Sequence, residues 1–225
     1  MSALFDVTRA TLAKDLRLEW RSKDATNGML FFALLVVVIF SFTFEPTAEE
    51  ARRITGGLMW MAFLFASTMA LNQSWSRELR NQVLDGFRAS PAPANALFLG
   101  KTIGNFIFVC LLEAIVGPLF VVFFNLNVQG DAPLLVLVFL LGTWALIVNG
   151  TFFAAMSMRT RSRELMLPLL LFPISVPALL AMVGAITAIF TGESSPDLSL
   201  KFLAVYDIVF TTVSLLLFET VLHAE

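Results

Sequence analysis

Charge, cysteine and histidine are all scarce in this chain, and each shortage removes a class of function. Only 14% of the 225 residues are charged, against 58% that are hydrophobic, and the mean hydropathy is +0.82. Soluble domains carry roughly a quarter charged residues, so the composition is that of an integral membrane protein. The single cysteine, Cys110, lies inside an apolar run. An intramolecular disulfide and a CxxC redox or attachment motif are therefore excluded. One histidine, His223, and scattered acids leave no HExxH or Ser-His set for an intramembrane enzyme, and the Gly-rich phosphate loop that would let the chain hydrolyse ATP by itself is absent. No internal repeat suggests the paired broken helices of a secondary transporter. The first 28 residues are rich in charge, with no apolar core ahead of a small-residue cleavage site, unlike a cleavable signal.

What the chain has in abundance is long apolar runs. A membrane-spanning helix needs about 20 mostly apolar residues. Six segments qualify, at about residues 28–44, 54–71, 102–124, 133–158, 165–190 and 198–222. The sixth is interrupted by Asp207 and closed by Glu219. Backbone groups in lipid must be satisfied internally, and no alternating strand pattern competes with helices. The expected fold is an all-α bundle of six transmembrane helices forming one domain over 1–225. Twelve lysines and arginines, from Arg9 to Lys23, Arg77 to Lys101 and Arg159 to Arg163, fall on one side, and three (Arg52, Arg53 and Lys201) on the other. The excess of positive charge marks the cytoplasmic side, so both termini are expected there. The outer connections, around Glu45–Glu50, Asn125–Pro133 and Thr191–Asp197, are too short for a receptor or catalytic domain. Function is expected in the bundle or on its cytoplasmic face.

That face carries three features. Residues 1–27 hold an amphipathic stretch, Phe5 to Arg21, with Phe5, Thr8, Leu12, Leu16 and Trp20 near helical spacing on one side and Lys14, Arg17 and Arg21 pointing away. Such a helix lies in the membrane interface, either as a simple anchor or as a connecting helix that also meets a partner. A loop over 72–101 comes after the second span. Leu79, Val83 and Phe87 are spaced four apart and predict a short surface helix with an apolar ridge, ended by Gly86. Ser90 is placed to cap the next helix, with Pro91 or Pro93 in its first turn. A ridge of this kind suits docking into a partner's groove; the alternative is a solvated connection. Third, Met158 to Glu164 is a compact basic turn, readable as a topology determinant or as a contact.

These residues resemble a family. Glu78, then Asp85-Gly86-Phe87, Ser90-Pro91 and Gly100-Lys101 entering a span are similar to the cytoplasmic coupling loop of type-2 ABC exporter permeases, where a Gly-Thr-Leu step commonly stands in place of Asp85-Gly86-Phe87. The LRLEWRSKD near the N-terminus, six spans without an attached ATPase, and Pro168, Pro173 and Pro177 in the fifth span resemble the heme exporter protein B family. The resemblance implies a membrane permease subunit of a cytochrome c maturation complex in the bacterial inner membrane. It implies two copies of the chain in the lipid bilayer, an ABC ATPase subunit, a heme-handling membrane protein and a heme chaperone, with no nucleic acid. Glu78, Val83, Asp85, Gly86, Phe87 and Pro91 are carried over as the ATPase-coupling positions. The alternative is an ABC exporter permease for a lipid, polysaccharide or drug. Heme iron takes His, Met, Cys or Tyr ligands. With one His, one Cys, one Tyr and methionines at packing spacing, a bis-histidine site within one copy is excluded. Heme and ATP are expected to be handled by the complex, with no cofactor held tightly by this chain.

Within the spans, Glu113 precedes Gly117-Pro118. An intramembrane carboxyl is either functional or a neutral group hydrogen-bonded to a neighbouring helix. Asp207 and Glu219 are read as lying nearer the ends of the sixth span. Pro168, Pro173 and Pro177 predict a broken or kinked fifth span, a hinge or re-entrant segment, with a static kink as the alternative. Gly100 and Gly104 form a GxxxG step that permits close helix approach.

Overall fold

The structure is a computed structural model that describes residues 2–43, 49–126, 128–158, 160, 162–223. Its elements are α1 (Ser2–Ser22), α2 (Asp24–Thr43), α3 (Glu49–Arg80), α4 (Val83–Arg88), α5 (Ala94–Phe123), α6 (Ala132–Ser157), α7 (Arg163–Thr191) and α8 (Asp197–His223). No strand occurs among the described residues. Six helices, α2, α3, α5, α6, α7 and α8, are long and apolar enough to cross a membrane by length and composition. The chain is thus a multi-pass, all-α membrane protein. The outer connection expected around Glu45–Glu50, and Arg159 and Arg161 of the basic turn, fall wholly or largely outside the described residues.

Local geometry sets where each helix starts and stops. Lys23 takes φ 55°, so α1 and α2 are separated by one left-handed residue. Its N–H bonds to the Glu19 carbonyl at 2.7 Å and its carbonyl accepts from Asn27 N–H at 2.8 Å. A lysine is a costly residue for that region, and the position was not legible as a turn. At the other end of the pair, α3 runs 32 residues, about 48 Å at 1.5 Å per residue, so it continues well past its apolar stretch. It stops at Asn81-Gln82, where Gln82 is left-handed (φ 53°).

α6 lies at the centre, packed against α3, α5, α7 and α8, while α1 lies on α5 and α2 on α3 and α5. Small residues on α6 receive large ones from α3. A Cβ at Gly142 would stand 2.4 Å from the Trp60 ring, and one at Gly150 2.2 Å from Leu71. Packing of this sort, rather than a solvent-driven hydrophobic effect, holds helices together in lipid. Trp60, Phe63 and Phe139 form a tilted and edge-on cluster with Phe120. Trp75 and Phe98 meet Phe218 nearer the α4 end.

Two expectations about the later spans are corrected. α7 is one continuous helix with Pro168, Pro173 and Pro177 inside it, neither broken nor re-entrant. Pro168 is the sixth residue of the helix and withholds only the N–H that the Glu164 carbonyl would otherwise receive. Between Pro173 and Pro177, Tyr206 of α8 donates its hydroxyl to the Ile174 carbonyl at 2.8 Å and accepts from Asn149 of α6 at 3.0 Å. That carbonyl is not one of those four residues before a proline (Glu164, Leu169 and Pro173), so the bond ties α8 to α7 without replacing one a proline removes. α8 is likewise unbroken, and Asp207 sits inside it rather than near an end, buried with neither carboxyl oxygen hydrogen-bonded. Glu219 is exposed.

Candidate functional site

The residues of the 72–101 region divide into a buried half and an exposed half. α3 extends through Arg80, so Glu78 belongs to a long helix and points into the bundle, 2% exposed. Its Oε1 lies 2.5 Å from Lys101 Nζ of α5 and also pairs with Lys14 Nζ of α1. Lys101 is 1% exposed. It further meets Asp15 Oδ2 at 2.9 Å and the hydroxyl and carbonyl oxygens of Ser74 at 3.2 and 3.3 Å. Buried charges persist only when paired and hydrogen-bonded, and here two lysines and two carboxylates from three helices do that for one another. Lys14, expected on the basic face of α1 towards lipid phosphates, instead pairs with Glu78.

A second ionic knot ties α1 to α2 and α3. Arg77 Nη1 lies 2.7 Å from Glu19 Oε2, and Arg77 also donates to Ser22 Oγ at 3.0 Å. Thr26 gives Glu19 Oε1 both its backbone N–H at 2.8 Å and its hydroxyl at 2.9 Å. Burial pushes the Glu19 carboxyl pKa up, but the bonds from Thr26 and the Arg77 guanidinium outweigh it and hold the group below the ordinary carboxylate value. α1 therefore faces the bundle with Thr11, Asp15 and Glu19, while Phe5 and Trp20 stay 66% and 78% exposed. Gly100 makes this docking possible: a Cβ there would stand 2.7 Å from Thr11 Cβ and 3.0 Å from the Thr8 carbonyl. The GxxxG step thus serves α1.

The exposed half comprises α4 and the turn that links it to α5. The break at Gln82 separates Leu79 from Val83 and Phe87, so the three do not form one ridge. α4 instead turns Leu84 into the bundle, half-buries Val83 and Phe87, and leaves Asp85 and Gly86 outward. Gly86 lies within α4 and does not end it; only Gly192 among the described glycines has positive φ. A Cβ at Gly86 would meet nothing within 4 Å. Arg88 Nε donates to the Leu222 carbonyl at 2.9 Å, fastening α4 to the end of α8. Ser90 closes the turn after α4, donating to the Phe87 carbonyl at 2.7 Å and accepting from Ala92 N–H at 3.4 Å. Pro93, not Ser90, occupies the position before α5, and Pro91 is exposed in between.

Glu113 and Pro118 lie farther along α5, past Lys101. The Glu113 carboxyl is buried, with both oxygens 2.6 Å from Thr143 Oγ1 of α6. The hydrogen bond to a neighbouring helix is present. Among the described residues, no group of three His, Cys, Asp or Glu side chains could hold a metal ion. The sequence singles out Glu78 but not Lys14 and Asp15 of its cluster, nor the Glu19–Arg77 pair beside it. Asp15 and Glu19, four residues apart on a helix expected to be apolar on one side and basic on the other, were the available signal.

Comparison with known proteins places these features in one lineage. The CcmB protein family matches residues 7–223, from within α1 to the end of α8. The chain is 34% identical over 172 residues to the heme exporter protein B of Rhodobacter capsulatus, covering 76% of this chain and 78% of that one. It is 30% identical over 197 residues to the heme exporter protein B of Paracoccus denitrificans, covering 87% and 89%. The same-named protein of Pseudomonas aeruginosa is 29% identical over 185 residues, 82% of each chain. A match that takes in all eight helices, α1 to α8, shows that this chain belongs to the CcmB family.

Proposed function

We propose that this chain is the membrane permease subunit of an ABC complex in cytochrome c maturation, and that α4 is where a partner ATPase docks. The observation that carries the reading is the mounting of α4. Its outward Asp85 and Gly86 stand on a short helix gripped by buried Leu84 and by Arg88 on the end of α8. The preceding helix is locked to α1 and α5 by the Glu78–Lys101 cluster. A glycine with open space at its Cβ lets a partner backbone approach closely, and a rigid mount passes a push from that partner into α3 and α5. Asp85, Gly86 and Pro91 are then contact residues, whereas Glu78, Val83 and Phe87 hold the contact helix in place.

In this reading both termini and α4 face the cytoplasm of a bacterium, two copies of the chain pair with two ATPase subunits, and a separate membrane protein handles heme. ATP hydrolysis drives release of the heme-loaded chaperone on the outer side, and this chain holds no heme tightly. The relatives' shared name, heme exporter protein B, supports heme delivery over export of a lipid, polysaccharide or drug. The test is mass spectrometry of the complex purified through this chain from native membranes in mild detergent. Recovery of an ABC ATPase with a heme-handling membrane protein is the expected result. An ATPase without the heme-handling protein would overturn the cytochrome assignment, and an intact preparation with no ATPase would overturn the docking role of α4.

A further inference from the structure

A groove of about 520 Å³ runs between α5 and α6, within the membrane-spanning part of both. Its walls include Val122, Val136, Phe139 and Leu140, and Val122 and Val136 are largely exposed to whatever surrounds the bundle. The volume falls in the range of roughly 300–1,000 Å³ usual for small-molecule sites. An apolar groove alone would take any acyl chain. This one contains two hydrogen-bond acceptors that the fold leaves short of donors.

The first acceptor is Glu113, buried and bordering the groove. A neutral carboxyl keeps acceptor lone pairs on both oxygens, and Thr143, its one partner, meets them with a single hydroxyl. The second is the carbonyl of Ala114. A helix carbonyl points toward the residue four positions on, here Pro118, which has no N–H to give. Ala114 and Pro118 both line the groove and both are exposed. Apart from the weakly donating Cys110 thiol and the carboxyl proton of Glu113 itself, no described lining residue brings a side-chain donor. Acceptors without donors in an apolar setting are costly, so a ligand that supplies a donor gains more here than in bulk lipid.

We propose that this groove binds a lipid-phase molecule with a hydrocarbon body and a neutral hydroxyl head, the hydroxyl donating to the Glu113 carboxyl, with the Ala114 carbonyl beside it. An ammonium head is disfavoured because a full charge would have to enter the apolar walls. The site is independent of the ATPase-docking role of α4 and stands or falls separately.

The test is photolabelling of the full chain in phosphatidylcholine nanodiscs with undecanol carrying a terminal diazirine, compared with its methyl ether, which has the same body and no donor. Labelled residues are mapped by peptide mass spectrometry. Saturable labelling along residues 110–122 and 135–140 is expected, stronger for the alcohol by about five- to tenfold, the weight of one hydrogen bond. Glu113→Gln, which keeps an acceptor, is expected to retain the preference, Glu113→Ala to lose most of it, and Ala114→Phe to block labelling by filling the groove. Should a variant fail to fold, competition on the unaltered chain decides: unlabelled undecanol must displace the probe at least fivefold better than undecyl methyl ether. Equal labelling by alcohol and ether, labelling spread over other helices, or a groove closed to both probes by a second copy of the chain would overturn the proposal.

Discussion

Removing Glu78 is the sharpest perturbation of the ionic cluster. In Glu78→Ala, Lys101 remains 1% exposed and loses its closest anion, at 2.5 Å. Stripping one partner from a buried pair costs ~3–5 kcal/mol. Asp15 at 2.9 Å and the two Ser74 oxygens still face the ammonium, which puts the expected loss near the low end, about 3 kcal/mol. That is about two powers of ten in the folded-to-unfolded ratio. Lys101→Ala is expected to cost a similar amount, since it leaves a buried carboxylate with only the half-buried Lys14. The double replacement Glu78→Met with Lys101→Met removes both charges, leaves Lys14 and Asp15 paired at 3.3 Å, and is expected to cost clearly less than the sum of the single changes. Arg53→Ala is the control, because the Arg53–Glu193 pair is exposed on both sides and pairs of that kind contribute ~0–1 kcal/mol. The assay is equilibrium unfolding in mixed sulfate and maltoside micelles, tracked by helical circular dichroism. A loss for Glu78→Ala no larger than for Arg53→Ala, or an additive double variant, would refute the idea that these charges act as one buried unit.

Other contacts make three further outcomes testable. Gly86→Val adds side-chain atoms into open space, so the folded chain is expected to keep its unfolding midpoint within about 0.5 kcal/mol while co-purification of the ATPase is lost; normal recovery of the ATPase would remove Gly86 from the contact surface. Gly142→Leu drives a side chain into the Trp60 ring, where even a Cβ stands at 2.4 Å, and is expected to destabilise by ~1–3 kcal/mol or more, read in the same micelle assay. The Glu19 carboxyl is held below its ordinary value in the folded state, so its contribution to docking α1 is present above the unfolded pKa and is lost as pH falls through the folded one. Hydrogen exchange of α1 amides, corrected for intrinsic rates, is therefore expected to accelerate on acidification below the ordinary carboxylate range, and Glu19→Gln is expected to remove most of that dependence.

The six spans were readable because a continuous apolar run of about 20 residues has few other solutions. Their ends were less so. Asp24 and Arg80 extend helices past the apolar stretch, since charged residues are welcome in a helix once other helices supply their partners. The terminators that matter, Lys23 and Gln82, adopt left-handed backbone without the glycine or asparagine that usually signals it. Gly86 was a signal of the wrong kind. Glycine at a helix end and glycine on an exposed helix face look alike in sequence, and only the break at Gln82 decides between them. The ion cluster was hidden for a related reason: Glu78 partners Lys101 and Lys14, far from it along the chain, and a sequence gives no direct measure of such pairing. The prolines of α7 argue locally for a break, yet α7 is one helix packed against α3, α6 and α8, and packing of that kind cannot be read from propensity.

The placement of α1 bears directly on how a push at α4 would travel. Had α1 been an apolar anchor alone, it would slide in the membrane interface and transmit little. Its bundle-facing side instead carries Thr11, Asp15 and Glu19, and its bonds go to α3 through Glu78 and Arg77, to α5 through Lys101, and to α2 through Thr26. Gly100 allows backbone-distance contact at the point where α5 passes beneath it. α2, α3 and α5 are thereby tied together by one helix, with α4 following directly on α3, and removing one partner from such a cluster strands a buried counter-charge. Under the proposed function, ATPase movement at Asp85 and Gly86 then moves three spans as a block instead of bending one loop. Freeing α1 with Glu19→Ala and Asp15→Ala together is expected to leave ATPase binding intact while uncoupling hydrolysis from cytochrome c assembly. Full cytochrome c levels in that variant, with α1 shown by hydrogen exchange to be undocked, would rule out the clamp as the transmitting element.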